Sequence, residues 1–68
     1  MIKIPKKLIE RLMKEYGAKR ISNEAKELIE KIINEKIQEL TSLSTKNAHH
    51  FGRKLIKKED IEFALKAI

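Results

Sequence analysis

Basic side chains gather at two places in this sequence, and the chemistry of such clusters is the binding of anions. Lys19 and Arg20 are adjacent, and a second cluster follows the second glycine: Arg53, Lys54, Lys57 and Lys58. Each Lys or Arg that meets a phosphate releases condensed counterions, which gives affinity without any reading of bases. Helices are predicted to begin beside both clusters, and free N–H groups at helix N-termini also bind phosphate oxygens. The clusters indicate a nucleic-acid-binding protein, although charge alone leaves open a solvated, Lys-rich surface.

Other chemistry has little support in the sequence. The histidines His49 and His50 are neighbours, and adjacent residues of a helix point about 100° apart. No His or Cys lies one turn away, which argues against a zinc site. The Ser and Thr residues of segment 41–45 are expected on a helix surface, and no nucleophile has a base and an orienting group beside it. We expect no enzyme, cofactor, metal or small-molecule substrate.

Length and composition narrow the class of protein further. The chain has 68 residues, which allows one domain, 1–68, and its 16 Lys and Arg against 10 Asp and Glu give a net charge of +6. The absence of Cys excludes a disulfide framework. No apolar run is long enough for a membrane span or a secretory signal, so we expect a cytoplasmic protein without membrane partners.

Three segments carry apolar residues at helical spacing, which predicts an all-α fold. The first of these segments runs from Ile4 to Tyr16, and its helix is predicted to have Pro5 at its first position and to end at Gly17. The third helix is predicted to start near Lys57 or Lys58. Its expected buried face comprises Ile61, Ala64, Leu65 and Ile68.

The second helix is the longest of the three. It is predicted to run from Asn23 to His50, with Ser22 or Asn23 as its N-cap and Gly52 just beyond its end. A helix of this length spans about 42 Å, whereas a compact globule of this size is about 28 Å across. Two short helices cannot cover its apolar stripe, so we expect an intertwined dimer.

Two motifs resemble the minimal, tailless histone fold of archaeal histones. The first runs from Gly17 to Ser22 and reads Gly-Ala-Lys-Arg-Ile-Ser. The second runs from Gly52 to Ile61 and reads Gly-Arg-Lys-Leu-Ile-Lys-Lys-Glu-Asp-Ile. The likeness extends from Ile4 to Ile68 without gaps in either loop. It implies a head-to-tail handshake homodimer in which each first loop pairs with the partner's second loop through Ile21, Leu55 and Ile56.

The resemblance also implies roles for individual residues. Arg20 falls on the arginine that histones insert into the DNA minor groove. Lys54 falls on a basic residue of the second loop that reaches phosphates. Flanking phosphate contacts are expected from Lys19, Arg11, Lys14, Lys7 and Lys57. Arg53 and Asp60 match an intramolecular ion pair with a structural role.

Three further residues fall where archaeal histone dimers meet to form tetramers or filaments: Asn47, His50 and Phe63. Asn47 departs from the apolar residue usual in the family, and Leu55 departs from the usual threonine beside the minor-groove arginine. Assembly beyond the dimer and the choice between wrapping, bridging and bending DNA therefore stay open.

The expected function is that of a chromosome-associated protein that dimerises and compacts double-stranded DNA largely independently of sequence. The alternative is a histone-fold pairing module for protein partners without a direct DNA role. A basic amphipathic helix on an anionic membrane would explain the first helix alone.

Overall fold

The computed structural model describes residues 2–68 and contains three helices in that range. Helix α1 spans Lys6–Glu15, α2 spans Asn23–His50 and α3 spans Lys58–Ala67. Loop 1 comprises residues 16–22 and loop 2 residues 51–57. The chain divides into two compact units, one up to Glu35 and one from Lys36, and α2 contributes to both. Within residues 2–68, no helix has both the length and the apolar character that crossing a bilayer requires.

Helix α1 is shorter than predicted at both ends. Pro5 is its N-cap, with extended backbone angles of φ −56° and ψ 127°, and is not the first helical residue. Ile4 lies outside the helix because a residue that precedes proline is disfavoured in the helical conformation. At the other end Tyr16 is the C-cap.

Both predicted glycine ends are confirmed. Gly17 and Gly52 adopt left-handed φ values of 110° and 70°. After α1, the N–H of Gly17 donates to the Lys14 carbonyl and that of Ala18 to the Met13 carbonyl. This hydrogen-bond pair is a Schellman motif, which satisfies carbonyls that the helix end leaves unpaired. The same pair recurs after α2, where Gly52 and Arg53 donate N–H groups to the carbonyls of His49 and Ala48.

Helix α2 has the predicted bounds, and Ser22 is its cap. The Ser22 hydroxyl oxygen accepts a hydrogen bond of 3.1 Å from the Ala25 N–H. This bond satisfies one of the four N–H groups that every helix start leaves without a partner.

In the first unit, two polar residues of α2 hold the segment that precedes α1. The Asn34 side chain accepts from the Ile2 N–H at 3.0 Å and donates to the Ile2 carbonyl at 2.8 Å. The Glu30 carboxylate, 8% exposed, accepts from the Ile4 N–H at 3.0 Å. Ile9 on α1 is the buried apolar side chain here, at 2% exposure.

In the second unit, α2 and α3 meet through small side chains. Ala48, Ala64 and Ser44 are buried, and the Ser44 hydroxyl donates to the Asp60 carbonyl at 3.3 Å. The expectation that segment 41–45 is all helix surface is therefore wrong at Ser44. A serine fits there because a larger side chain would hold the helices apart, while its hydroxyl keeps a hydrogen-bond partner.

Many large apolar side chains are about half exposed in the single chain. On α2 these are Leu28, Ile32 and Ile37, at 57%, 50% and 58% exposure. Leu65 on α3 and Ile68 just beyond its end are also about half exposed, so only Ala64 of the predicted buried face is fully buried within one chain. The core of a single chain is correspondingly small.

Candidate nucleic-acid interface

One buried carboxylate organises loop 2. Asp60 has no exposed surface, and it receives two hydrogen bonds from the Arg53 guanidinium, at 3.0 Å and 3.1 Å. The Lys57 N–H donates to Oδ2 at 2.7 Å, and the Asn47 amide donates to Oδ1 at 2.8 Å. Each carboxylate oxygen therefore accepts two hydrogen bonds, which fills its acceptor capacity.

These contacts perturb the titration of the ion pair. The hydrogen bonds from Arg53 hold the pKa of the Asp60 carboxyl well below its usual range, and the Lys57 N–H lowers that pKa further. Burial opposes these effects because it disfavours the charged form. The same pairing raises the pKa of Arg53.

Arg53 also reaches the middle of the loop. Its Nη1 donates to the Leu55 carbonyl at 3.0 Å. Loop 2 is thus held at alternate residues, at the Arg53 side chain, the Leu55 carbonyl and the Lys57 N–H. The side chains of Lys54 and Leu55 remain exposed, Leu55 at 68%.

Loop 1 presents the other predicted cations. Lys19 and Arg20 are both exposed, and they lie between Gly17 and the N-cap Ser22. Neither side chain forms an ion pair with an acidic residue of the described chain. Both charges are available to an anion from outside the chain.

The predicted contacts on α1 are not equivalent. Lys7 and Arg11 are exposed and form no ion pair within residues 2–68. Lys14 is exposed too, but its ammonium lies 3.6 Å from the Glu10 carboxylate, which also pairs with Lys26 at 3.4 Å. Lys14, then Lys26, lower the pKa of Glu10. An anion must therefore compete with Glu10 for Lys14.

The three residues predicted at a dimer–dimer contact lie together in the second unit. With Lys46 and Phe51, they line an open, largely apolar depression. Phe63 is half exposed, and the His50 ring meets the Phe51 ring edge to face at 5.2 Å. Asn47 faces inward enough for its amide to bind Asp60.

Comparison with known proteins assigns the fold to a family. A family model described as histone-like transcription factor (CBF/NF-Y) and archaeal histone matches residues 2–65. The chain belongs to this histone-fold family. It is also 36% identical over 67 residues to one of the subunits of archaeal histone HAN1 from Thermococcus zilligii, covering 98% of this chain and 100% of that protein. The resemblance to archaeal histones and the all-α histone fold are confirmed, and the family points to a structural rather than an enzymatic protein.

Sequence reasoning missed several contacts of this histone-fold chain. An acidic residue in the first turn of α3 is a usual signal for a hydrogen bond to the cap N–H, so the Lys57–Asp60 contact had a local signature. The Asn47 amide and the Ser44 hydroxyl had none, because their partners lie more than ten positions away in sequence. Among residues 2–68, no three His, Cys, Asp or Glu side chains cluster in a way that could hold a metal ion.

Proposed function

We propose that this protein is a chromosome-associated, histone-like protein that binds double-stranded DNA as a homodimer, largely independently of sequence. The proposal rests on the exposure of the loop cations and on their lack of acidic partners. Lys19, Arg20, Lys54 and Lys57 are exposed and have no acidic partner within the described chain. Such side chains can neutralise phosphates without first breaking an ion pair.

Dimerisation is supported by the apolar side chains that one chain leaves exposed. Leu28, Ile32 and Ile37 on α2 would be covered if the long helices of two copies cross in a head-to-tail handshake. Burial of such side chains is the main source of stability in a domain this small, since its own core is limited. In that arrangement loop 1 of one protomer lies beside loop 2 of its partner.

The proposed roles of the loop cations differ. Arg20 enters the minor groove, where a narrow groove concentrates negative potential, and its guanidinium gains attraction without reading bases. Lys54, Lys19 and Lys57 bind phosphates, and Lys7, Arg11 and Lys14 extend the contact along α1. Lys14 contributes less because Glu10 already pairs with it.

Salt-titrated binding to duplex DNA tests the proposal. Six to ten phosphate contacts per dimer would give a plot of log K against log salt with a slope between about −5 and −9. The double variant Arg20→Ala/Lys54→Ala removes four charges per dimer and should flatten that slope by about 3 to 4. Its affinity should fall at least tenfold.

Lys31→Ala/Lys36→Ala is the matched control, because it removes the same charge from α2, outside the loops. Its affinity should stay within about threefold of the wild type. Absence of duplex binding by the wild type at about 50 mM salt would contradict the proposal. Equal losses of DNA affinity in the two double variants would show that binding depends on net charge and not on the loop positions.

The mode of DNA compaction depends on assembly beyond the dimer. The depression formed by Asn47, His50 and Phe63 is the proposed contact between dimers, giving tetramers or filaments. Nuclease digestion of the complex distinguishes the modes, since protected fragments in regular steps indicate wrapping and uniform protection indicates coating or bridging.

The second candidate function is a histone-fold pairing module without a DNA role. It is favoured by the same apolar depression and by the family description, which includes histone-like transcription factors. The Thermococcus zilligii relative is named as one of the subunits of its histone. A stable complex with a different chain, together with no salt-dependent DNA binding, would support this candidate.

A further inference from the structure

Loop 2 presents a large apolar side chain among exposed cations. Leu55 is 68% exposed, whereas the neighbouring Ile56 is 37% exposed. Lys54 and Lys57 flank Leu55 on either side in sequence, and both are exposed. In the proposed dimer loop 2 lies beside loop 1 of the partner, where Ile56, the less exposed of the two side chains, faces that loop and Leu55 faces outward. A leucine that faces outward between cations fits an apolar surface that is bordered by negative charge.

The backbone beneath Leu55 is held by hydrogen bonds. Its carbonyl accepts from Arg53 at 3.0 Å, and the same guanidinium is held by two hydrogen bonds to the buried Asp60. Asp60 also fixes the Lys57 N–H at 2.7 Å. A side chain on a loop that is already ordered loses less conformational entropy when it binds a partner than one on a mobile loop.

The DNA minor groove matches this arrangement of charge and apolar surface. Its walls are apolar sugar edges, its floor is the base edges, and a row of phosphates borders each side. Leu55 between two lysines fits a groove between two phosphate rows. Apolar side chains that enter the minor groove unstack base steps and bend the duplex, and leucine is among those that do so.

We infer that Leu55 is a wedge that unstacks or bends duplex DNA at the minor groove, an inference that rests on the proposed DNA binding. The wedge adds a preference for base steps that unstack easily, which phosphate contacts alone do not supply. Pyrimidine–purine steps such as TA are easily unstacked, whereas A-tracts are stiff. The wild-type protein should therefore favour duplexes with TA steps over A-tracts.

The test uses duplexes that carry the fluorescent base 2-aminopurine beside a central TA step, whose emission rises when the base unstacks. With the wild type, emission should rise at least about twofold, and the TA duplex should bind about fivefold more tightly than an A-tract duplex. Leu55→Ala should lose most of the emission rise, and its preference should fall below about twofold. Its salt slope should not change, because no charge is removed.

Leu55→Met is the matched control, since methionine keeps a long apolar side chain and should keep the emission rise. Should Leu55→Ala fail to fold, Leu55→Gln retains the side-chain length, removes the apolar surface and carries the same expectation. Thermal melting of each variant verifies folding.

Two results would overturn the inference. One is an unchanged emission rise and TA preference in folded Leu55→Ala. The other is an emission rise in neither the wild type nor the variants, despite tight, salt-dependent binding. Absence of any salt-dependent binding by the wild type is a different result, because it would contradict the proposed function itself.

Discussion

Asp60 shows how much a single residue contributes to the proposed DNA-binding surface. Its carboxylate accepts from the Arg53 guanidinium, the Lys57 N–H and the Asn47 amide, and its backbone carbonyl accepts from Ser44. One buried charge thereby connects α2, loop 2 and α3 within the second unit. Lys54 lies between Arg53 and Leu55, which this network holds, although Lys54 itself forms no ion pair with Asp60.

Arg53→Ala should destabilise the fold more than it weakens the phosphate contacts. The variant leaves Asp60 buried without its charged partner, so the melting temperature should fall by about 10 °C at equal protein concentration. Thermal unfolding followed by circular dichroism measures the change. Lys58→Ala, which breaks only the exposed ion pair with Glu62, should shift the melting temperature by less than about 3 °C. An unchanged melting temperature in Arg53→Ala would contradict the structural role.

The lowered pKa of Asp60 predicts a loss of stability in acid. The folded state holds this carboxyl at a pKa below its ordinary value of about 3.9, so the unfolded state takes up the proton first as the pH falls. The stabilisation is complete above the ordinary pKa and is lost as the pH falls toward the folded pKa. Melting temperatures of the wild type should drop below about pH 4.

Asp60→Asn provides the comparison for the pH dependence. It should start from a lower melting temperature at neutral pH and lose less than the wild type on acidification, because the titrating group is gone. Glu10, whose pKa is also lowered, keeps a weaker acid dependence in both proteins. Parallel acid profiles for the two proteins would contradict the role of Asp60.

At the scale of the helices, the predictable features were those with local signals. Gly17, Gly52 and Ser22 mark helix ends through their own backbone or side-chain chemistry, and the bounds of α2 followed from them. The start predicted for α1 was wrong by one residue, because Pro5 takes an extended ψ of 127° and caps the helix instead of beginning it. The burial of Ser44 could not be predicted, because it depends on which residue of α3 lies opposite.

Gly52→Ala should destabilise the end of α2. The left-handed φ of 70° is unfavourable for a residue with a Cβ, although no atom lies within 4 Å of the position that a Cβ would take. The free energy of unfolding should fall by about 1 kcal/mol, measured by urea denaturation. Gly52→Asn should lose less, since asparagine tolerates this conformation better. An alanine variant as stable as the wild type would contradict the account of this helix end.

At the scale of the whole molecule, the sequence indicated where the cations lie but not which of them are paired. The exposed loop positions of Lys19, Arg20 and Lys54 follow from the glycine and cap signals that define the loops. The Glu10–Lys14 and Glu10–Lys26 pairs depend on side-chain positions in three dimensions. The dimer was predicted from helix length, and the half-exposed apolar side chains of α2 support the same proposal.

Binding of duplex DNA by the loops of two copies can be measured by sedimentation equilibrium of the full chain, alone and with a fluorescently labelled short duplex at increasing salt. Without DNA we expect twice the 8.0 kDa mass of one chain, and with DNA a complex that adds whole dimers to the duplex and dissociates steeply with salt. A folded monomer at micromolar concentration, or a dimer that leaves the duplex unbound at low salt, would rule out this mode of binding.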